Sequence, residues 1–78
     1  QELIDSDPYS YNAWYNIGIA YSKLARYAEA AEAYDYAVII KEDFSSAHFN
    51  LGNTYMNLGL FEKAEECYRN TLKYEEPT

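Results

Sequence analysis

A chain that repeats itself has few folds open to it, and this one repeats with a period of 34 residues. Slid along itself by that distance, Ala13 meets Ala47, Asn16 meets Asn50, Gly18 meets Gly52 and Tyr21 meets Tyr55. Further along, Leu24 meets Leu58, Ala30 meets Ala64, Glu32 meets Glu66 and Tyr34 meets Tyr68. Conservative matches fill the spaces between: Tyr15 with Phe49, Ile17 with Leu51, Tyr27 with Phe61, Val38 with Leu72. No gap is needed. The chain therefore holds two copies of one unit, 11–44 and 45–78, behind a leader, 1–10. A unit of this size cannot bury its apolar face alone and must stack on a neighbour.

Each unit reads as two helices. In the first, apolar spacings of three and four predict helices over roughly 11–24 and 27–40. In the second the same pattern predicts roughly 47–58 and 61–74. Gly59 stands where a left-handed C-terminal cap is wanted. Ala25 holds that place in the first copy, at a cost of about 1 kcal/mol if its backbone is left-handed too. Ser45 or Ser46 is expected to cap the third helix. Pro8, after Asp5-Ser6-Asp7, marks an earlier boundary, and no proline interrupts a proposed helix.

Composition removes several functions. A chain of 78 residues buries a modest share of its surface and often needs a staple. Cys67 is the only cysteine and His48 the only histidine, so neither an internal disulfide nor a zinc site can be built, and no cofactor or metal is expected. The net charge of −7 argues against nucleic acid and against an anionic membrane. No apolar run reaches membrane-spanning length. The start, "QELIDSDP", is no signal peptide, and it lacks Met, which suggests a piece of a longer chain. One free cysteine is compatible with the cytoplasm, the compartment expected here.

The recurring pattern Trp14-x2-Ile17-Gly18-x2-Tyr21 and Ala30-x3-Tyr34 resembles the tetratricopeptide repeat. The second copy reads His48-x2-Leu51-Gly52-x2-Tyr55 and Ala64-x3-Tyr68. The resemblance covers everything but the leader, whose residues 1–7 it implies are the tail of a preceding repeat's second helix. The sequence departs from the pattern at His48, which replaces a tryptophan, at Glu42, which replaces a closing proline, and at Pro77, one residue late. Thr71 stands where the first copy has Ala37. His48 and Thr71 are expected to loosen the second unit. The implied fold is all-α: antiparallel helix-turn-helix repeats stacked as a right-handed superhelix, with first helices lining the concave side. Gly18 and Gly52 are expected to admit a close helix neighbour, with Ala30 and Ala64 as the approaching residues.

That geometry sorts the surface. In the first unit Asn12, Tyr15, Asn16, Ile19, Ser22 and Lys23 should face the groove. In the second, Ser46, Phe49, Asn50, Asn53, Met56 and Asn57 should. Only Lys23 among them is ionised, whereas most acids fall on the second helices. Asparagine offers both a donor and an acceptor, as a peptide backbone does. Tyr15, Ile19, Phe49 and Met56 offer apolar anchors, Met being suited to adaptable surfaces. The expected function is a protein-interaction scaffold holding an extended or helical peptide. Some relatives hold a chaperone's C-terminal carboxylate in a clamp. Here Asn50 matches the clamp's middle asparagine, but Tyr15 and Ile19 replace its first lysine and asparagine.

Catalysis is not expected. Cys67 and His48 fall on different helices, and Cys67 aligns with Ala33, as a small packing residue. The pairs Glu65-Glu66 and Glu75-Glu76 are adjacent in sequence and so cannot face each other on a helix. The competing expectation is self-association. Two repeats without polar caps leave open ends, with Leu72, Tyr74 and Tyr68 offered at one of them, and another copy could meet them to form a homo-oligomer.

Overall fold

A computed structural model describes residues 10–75. The leader's residues 1–9, with Pro8, and the final residues 76–78, with Pro77, lie outside the described residues, as does the reading of 1–7 as a repeat tail. Four helices follow one another: α1 (Tyr11–Lys23), α2 (Tyr27–Ile40), α3 (Ser45–Asn57) and α4 (Phe61–Glu75). Helix α1 packs on α2, α3 on α4, and α2 joins the two pairs by packing on α3. The described residues contain no strand, and the fold is an all-α stack of helix pairs.

The ends of the helices explain the turns. At the close of α1 the Arg26 amide donates to the Tyr21 carbonyl at 2.9 Å, and the Ala25 amide to Ser22 at 3.0 Å. The close of α3 repeats this, Leu60 to Tyr55 at 2.9 Å and Gly59 to Met56 at 3.1 Å. Both are Schellman closures, which need one left-handed residue. Gly59 supplies it at φ 78° and Ala25 at φ 60°, so the alanine does carry the strain expected of it. The start of α1 is capped by Ser10, whose hydroxyl accepts from the Ala13 amide at 3.3 Å. Helix α3 departs from expectation. It begins at Ser45, two residues early, and its N-cap residue is Phe44, with no side-chain cap. The Phe44 ring instead packs on Tyr11 and Tyr15, at centroid distances of 5.3 and 4.8 Å, and this aromatic anchor sets the entry of α3.

The glycines do admit a close neighbour, but not the expected one. A Cβ on Gly18 would lie 2.6 Å from two ring carbons of Tyr34, and one on Gly52 would lie 2.7 Å from the ring of Tyr68. The atoms nearest the bare backbone are those of the aromatic rings, with the Cys67 Cβ also close to Gly52, rather than the methyls of Ala30 and Ala64. Both alanines are fully buried elsewhere in the helix pairs. An aromatic ring buries far more area than a methyl, which offsets the roughly 1 kcal/mol that glycine costs a helix.

His48 and Thr71 do not leave the second unit with unmet polar groups. The His48 ring is buried, stacks on Tyr74 at 5.4 Å, and its Nε2 lies 2.8 Å from the Glu42 carbonyl. A carbonyl only accepts, so Nε2 carries the proton. The Thr71 hydroxyl donates to the Cys67 carbonyl at 3.0 Å. Tyr68 and Tyr74 make contacts within their own unit, to Asn53 and His48, and both are half-buried. Leu72 remains exposed, at 68 %.

Two substitutions should move stability in opposite directions. Gly18→Ala forces its methyl into the packed Tyr34 ring and should cost about 1–3 kcal/mol despite better helix propensity. Ala25→Gly relieves the left-handed strain and should add about 1 kcal/mol. Urea titration of each variant measures both.

Candidate functional site

Helices α1 and α3 lie side by side with Tyr34 of α2 beneath them, and between them is an open concavity of about 420 Å³. From α1 it takes Ile19, Ser22 and Lys23; from α3, Asn50, Asn53, Thr54 and Asn57. The spacing follows from helix geometry. Ile19, Ser22 and Lys23 are three and four apart, as are Asn50, Asn53 and Asn57, so each set shares one helix face. The remaining residues of the expected site continue these faces beyond the concavity. Asn12 and Asn16 are exposed on α1, and Phe49 and Met56 are about half exposed on α3. Tyr15 belongs to the scaffold. Its ring packs on Tyr34 and Phe44, and its hydroxyl accepts from Asn50 Nδ2 at 3.1 Å.

The amides of α3 are oriented by the protein. Asn50 gives its Nδ2 to Tyr15, Asn53 accepts the Tyr68 hydroxyl on Oδ1 at 2.6 Å, and Asn57 gives its Nδ2 to the Asn53 carbonyl at 3.0 Å. Among the described residues, Asn50 Oδ1, Asn53 Nδ2 and Asn57 Oδ1 have no protein partner. They form a row of acceptor, donor and acceptor along α3. With a rise of about 1.5 Å per residue, the row from Asn50 to Asn57 spans about 10 Å. Tyr34 sits at the base, its hydroxyl 3.5 Å from that of Ser22, and burial raises its pKa.

The charges are arranged around this face. Arg26, Lys41, Lys63 and Lys73 each lie over a tyrosine ring, at 5.1 to 5.6 Å. Arg69 pairs with Glu65 at 3.1 Å. Lys23 has no ring or carboxylate partner among the described residues, and it is the one cation lining the concavity. The cation–π contacts also give part of the chain's ten tyrosines a role. Tyr34 and Thr54 were not among the expected lining residues. Tyr34 lies on a second helix, and its place beneath the groove follows only from how α2 packs against α1 and α3.

Tetratricopeptide repeat models match residues 11–44 and 45–76, nearly the whole described chain. The chain belongs to the tetratricopeptide repeat family. It is also similar to a peroxisomal targeting signal receptor of Kluyveromyces lactis, with 32 % identity over 63 residues. That match takes in 81 % of this chain and 11 % of the receptor, so the chain spans about a tenth of its relative's length. Tetratricopeptide repeats are a protein–protein interaction fold, and protein partners follow for this chain. Among the described residues no helix is long and apolar enough to cross a membrane, and no group of three His, Cys, Asp or Glu converges on a metal position.

Cys67 is buried in this tetratricopeptide core, against Gly52 on α3. Burial, reinforced by Glu66 and Asp35, pushes its thiol up to about 11 from 9.0. Folding thus disfavours the thiolate. The stability this provides is fully present below the unfolded value and is lost as pH rises through the folded one. Cys67→Ala should therefore flatten the fall in stability between about pH 9 and 11. Urea midpoints of the parent and variant across that range measure the difference.

Proposed function

We propose that the concavity between α1 and α3 binds an extended peptide segment of a partner protein. The observation that carries this reading is the acceptor–donor–acceptor row on Asn50, Asn53 and Asn57. An extended strand advances about 3.3 Å per residue, so three residues of peptide span the same 10 Å. Its amides can donate to Asn50 and Asn57 while a carbonyl accepts from Asn53. Such bonds hold a backbone without reading its sequence. Selectivity then falls to Ile19, which offers an apolar contact, and to Lys23, which favours an acidic group. The acids of α2 and α4 lie on other surfaces, so an acidic peptide meets little repulsion inside the groove. The relative's name, a targeting signal receptor, is consistent with capture of a short peptide signal.

A peptide-display screen against the chain, followed by calorimetric titration of the recovered peptides, tests this. Asn53→Ala removes one backbone bond and should weaken binding by about 0.5–1.5 kcal/mol, and Ile19→Ala should also weaken it. Glu65→Ala, on the outer surface, should leave it unchanged. Recovered peptides whose affinities ignore Ile19, Lys23 and Asn53 alike would sink the groove assignment.

A further inference from the structure

A second cavity, sharing no residue with the concavity, lies where α2, α3 and α4 meet. It is a slot of about 240 Å³ between Asp35 and Val38 of α2, His48 and Leu51 of α3, and Glu66 and Asn70 of α4. Its base is apolar and its rim is charged: Leu51 is buried, whereas Asp35 and Glu66 are exposed. The two carboxylates are unspent. Among the described residues the ion pairs join Arg26 to Glu29, Lys41 to Asp43 and Arg69 to Glu65, and none takes in Asp35 or Glu66. Lys63 also lines the slot, but its Nζ lies over the Tyr55 ring at 5.6 Å and pairs with neither acid. The local field is negative in spite of that lysine. Burial is the main cause of the raised Cys67 thiol, yet Glu66 and Asp35 each raise it by more than Lys63 lowers it. Tyr55 is raised by burial first and by Asp35 next.

His48 supplies an independent sign. Its ring lines the slot and is 7 % exposed. Nε2 gives its proton to the Glu42 carbonyl, so Nδ1 is a spare acceptor with no protein donor among the described residues. A buried acceptor beside two free carboxylates suits a ligand that brings both positive charge and several N–H donors.

We infer that this slot takes the guanidinium of an arginine side chain presented by a partner protein. Pockets for drug-sized ligands run to about 300–1,000 Å³, so a smaller slot suits one side chain. The acceptors diverge, coming from α2, α3 and α4. Arginine's fork of five donors can meet them together, whereas a lysine ammonium is a compact and more strongly hydrated charge. The arginine's alkyl stem can cover Val38 and Leu51. A second copy of this chain is a poor source. Arg26 holds Glu29 through bonds of 2.6 and 2.7 Å, Arg69 holds Glu65, and a net charge of −7 opposes the approach of a copy. The corresponding slot of the first unit, beside Trp14 and Tyr36, does not offer the pair: its Glu29 is spent on Arg26, which leaves Glu32 alone.

This inference goes beyond the peptide groove, and its probe is a single amino acid, so the two can fail separately. NMR titration of the full chain with N-acetylarginine methylamide tests it, with the neutral citrulline analogue and the lysine analogue as controls. Saturable shifts should appear at the amides of Asp35, His48, Glu66 and Asn70 and at His48 Nδ1. Asp35→Asn and Glu66→Gln should each weaken binding about two- to fivefold. Lys63→Gln should tighten it by a similar factor, a gain that no folding defect produces. Absence of saturable shifts in the unmodified chain would overturn the inference. So would equal affinity for either control, or arginine shifts that ignore both Asp35→Asn and Glu66→Gln.

Discussion

The ring of Tyr34 laid against the bare backbone of Gly18, and that of Tyr68 against Gly52, is the contact on which the structure rests. Each brings the two helices of a unit closer than any side chain would allow. The close approach sets the angle of the hairpin and with it the path of α1 and α3. Neither contact is optional once the other residues are in place. Tyr34 is 2 % exposed, and so has nowhere to retreat if the glycine gains a methyl. The helix propensity lost at two glycines is small beside the aromatic area buried over them.

The same tyrosines serve the surface. Tyr34 is both the ring over Gly18 and the floor of the concavity. Tyr68 is both the ring over Gly52 and the donor that holds Asn53 Oδ1, which leaves its Nδ2 without a partner among the described residues. Tyr15 fixes Asn50 in the same manner. The proposed peptide contacts are thus oriented in advance by residues whose first task is packing. A groove prepared this way loses less freedom on binding than one whose amides must first be ordered. The Cys67 thiol is buried in the packing layer, where it is chemically quiet, apart from the amides of the proposed groove.

Differences between the units show how a repeat tolerates substitution. His48 fills a tryptophan position by stacking on Tyr74 and donating to the backbone carbonyl of Glu42, so its Nε2 is satisfied although the residue is buried. In the first unit Trp14 pairs with Tyr36 instead, at 4.6 Å. Ala25 and Gly59 close their helices with the same hydrogen bonds at different strain. Outside the two tyrosine–glycine contacts, the backbone geometry of the repeat survives these substitutions because it is specified by several contacts at once.

The four helices, their order and their two-fold repetition were legible in the sequence, because helical period and a 34-residue shift are properties of neighbouring residues along the chain. The left-handed turn at Ala25 was legible for the same reason, through its alignment with Gly59. Contacts between elements were not. That the ring of Tyr34 covers Gly18, that Phe44 rather than a serine opens α3, and that six of the twelve expected groove residues line the concavity depended on the angles at which helices cross. Residues one or two turns apart on the same helix face have identical periodicity, so Tyr15 and Ile19 look alike in sequence. Only the packing of α2 beneath α1 and α3 decided that one belongs to the scaffold and the other to the groove.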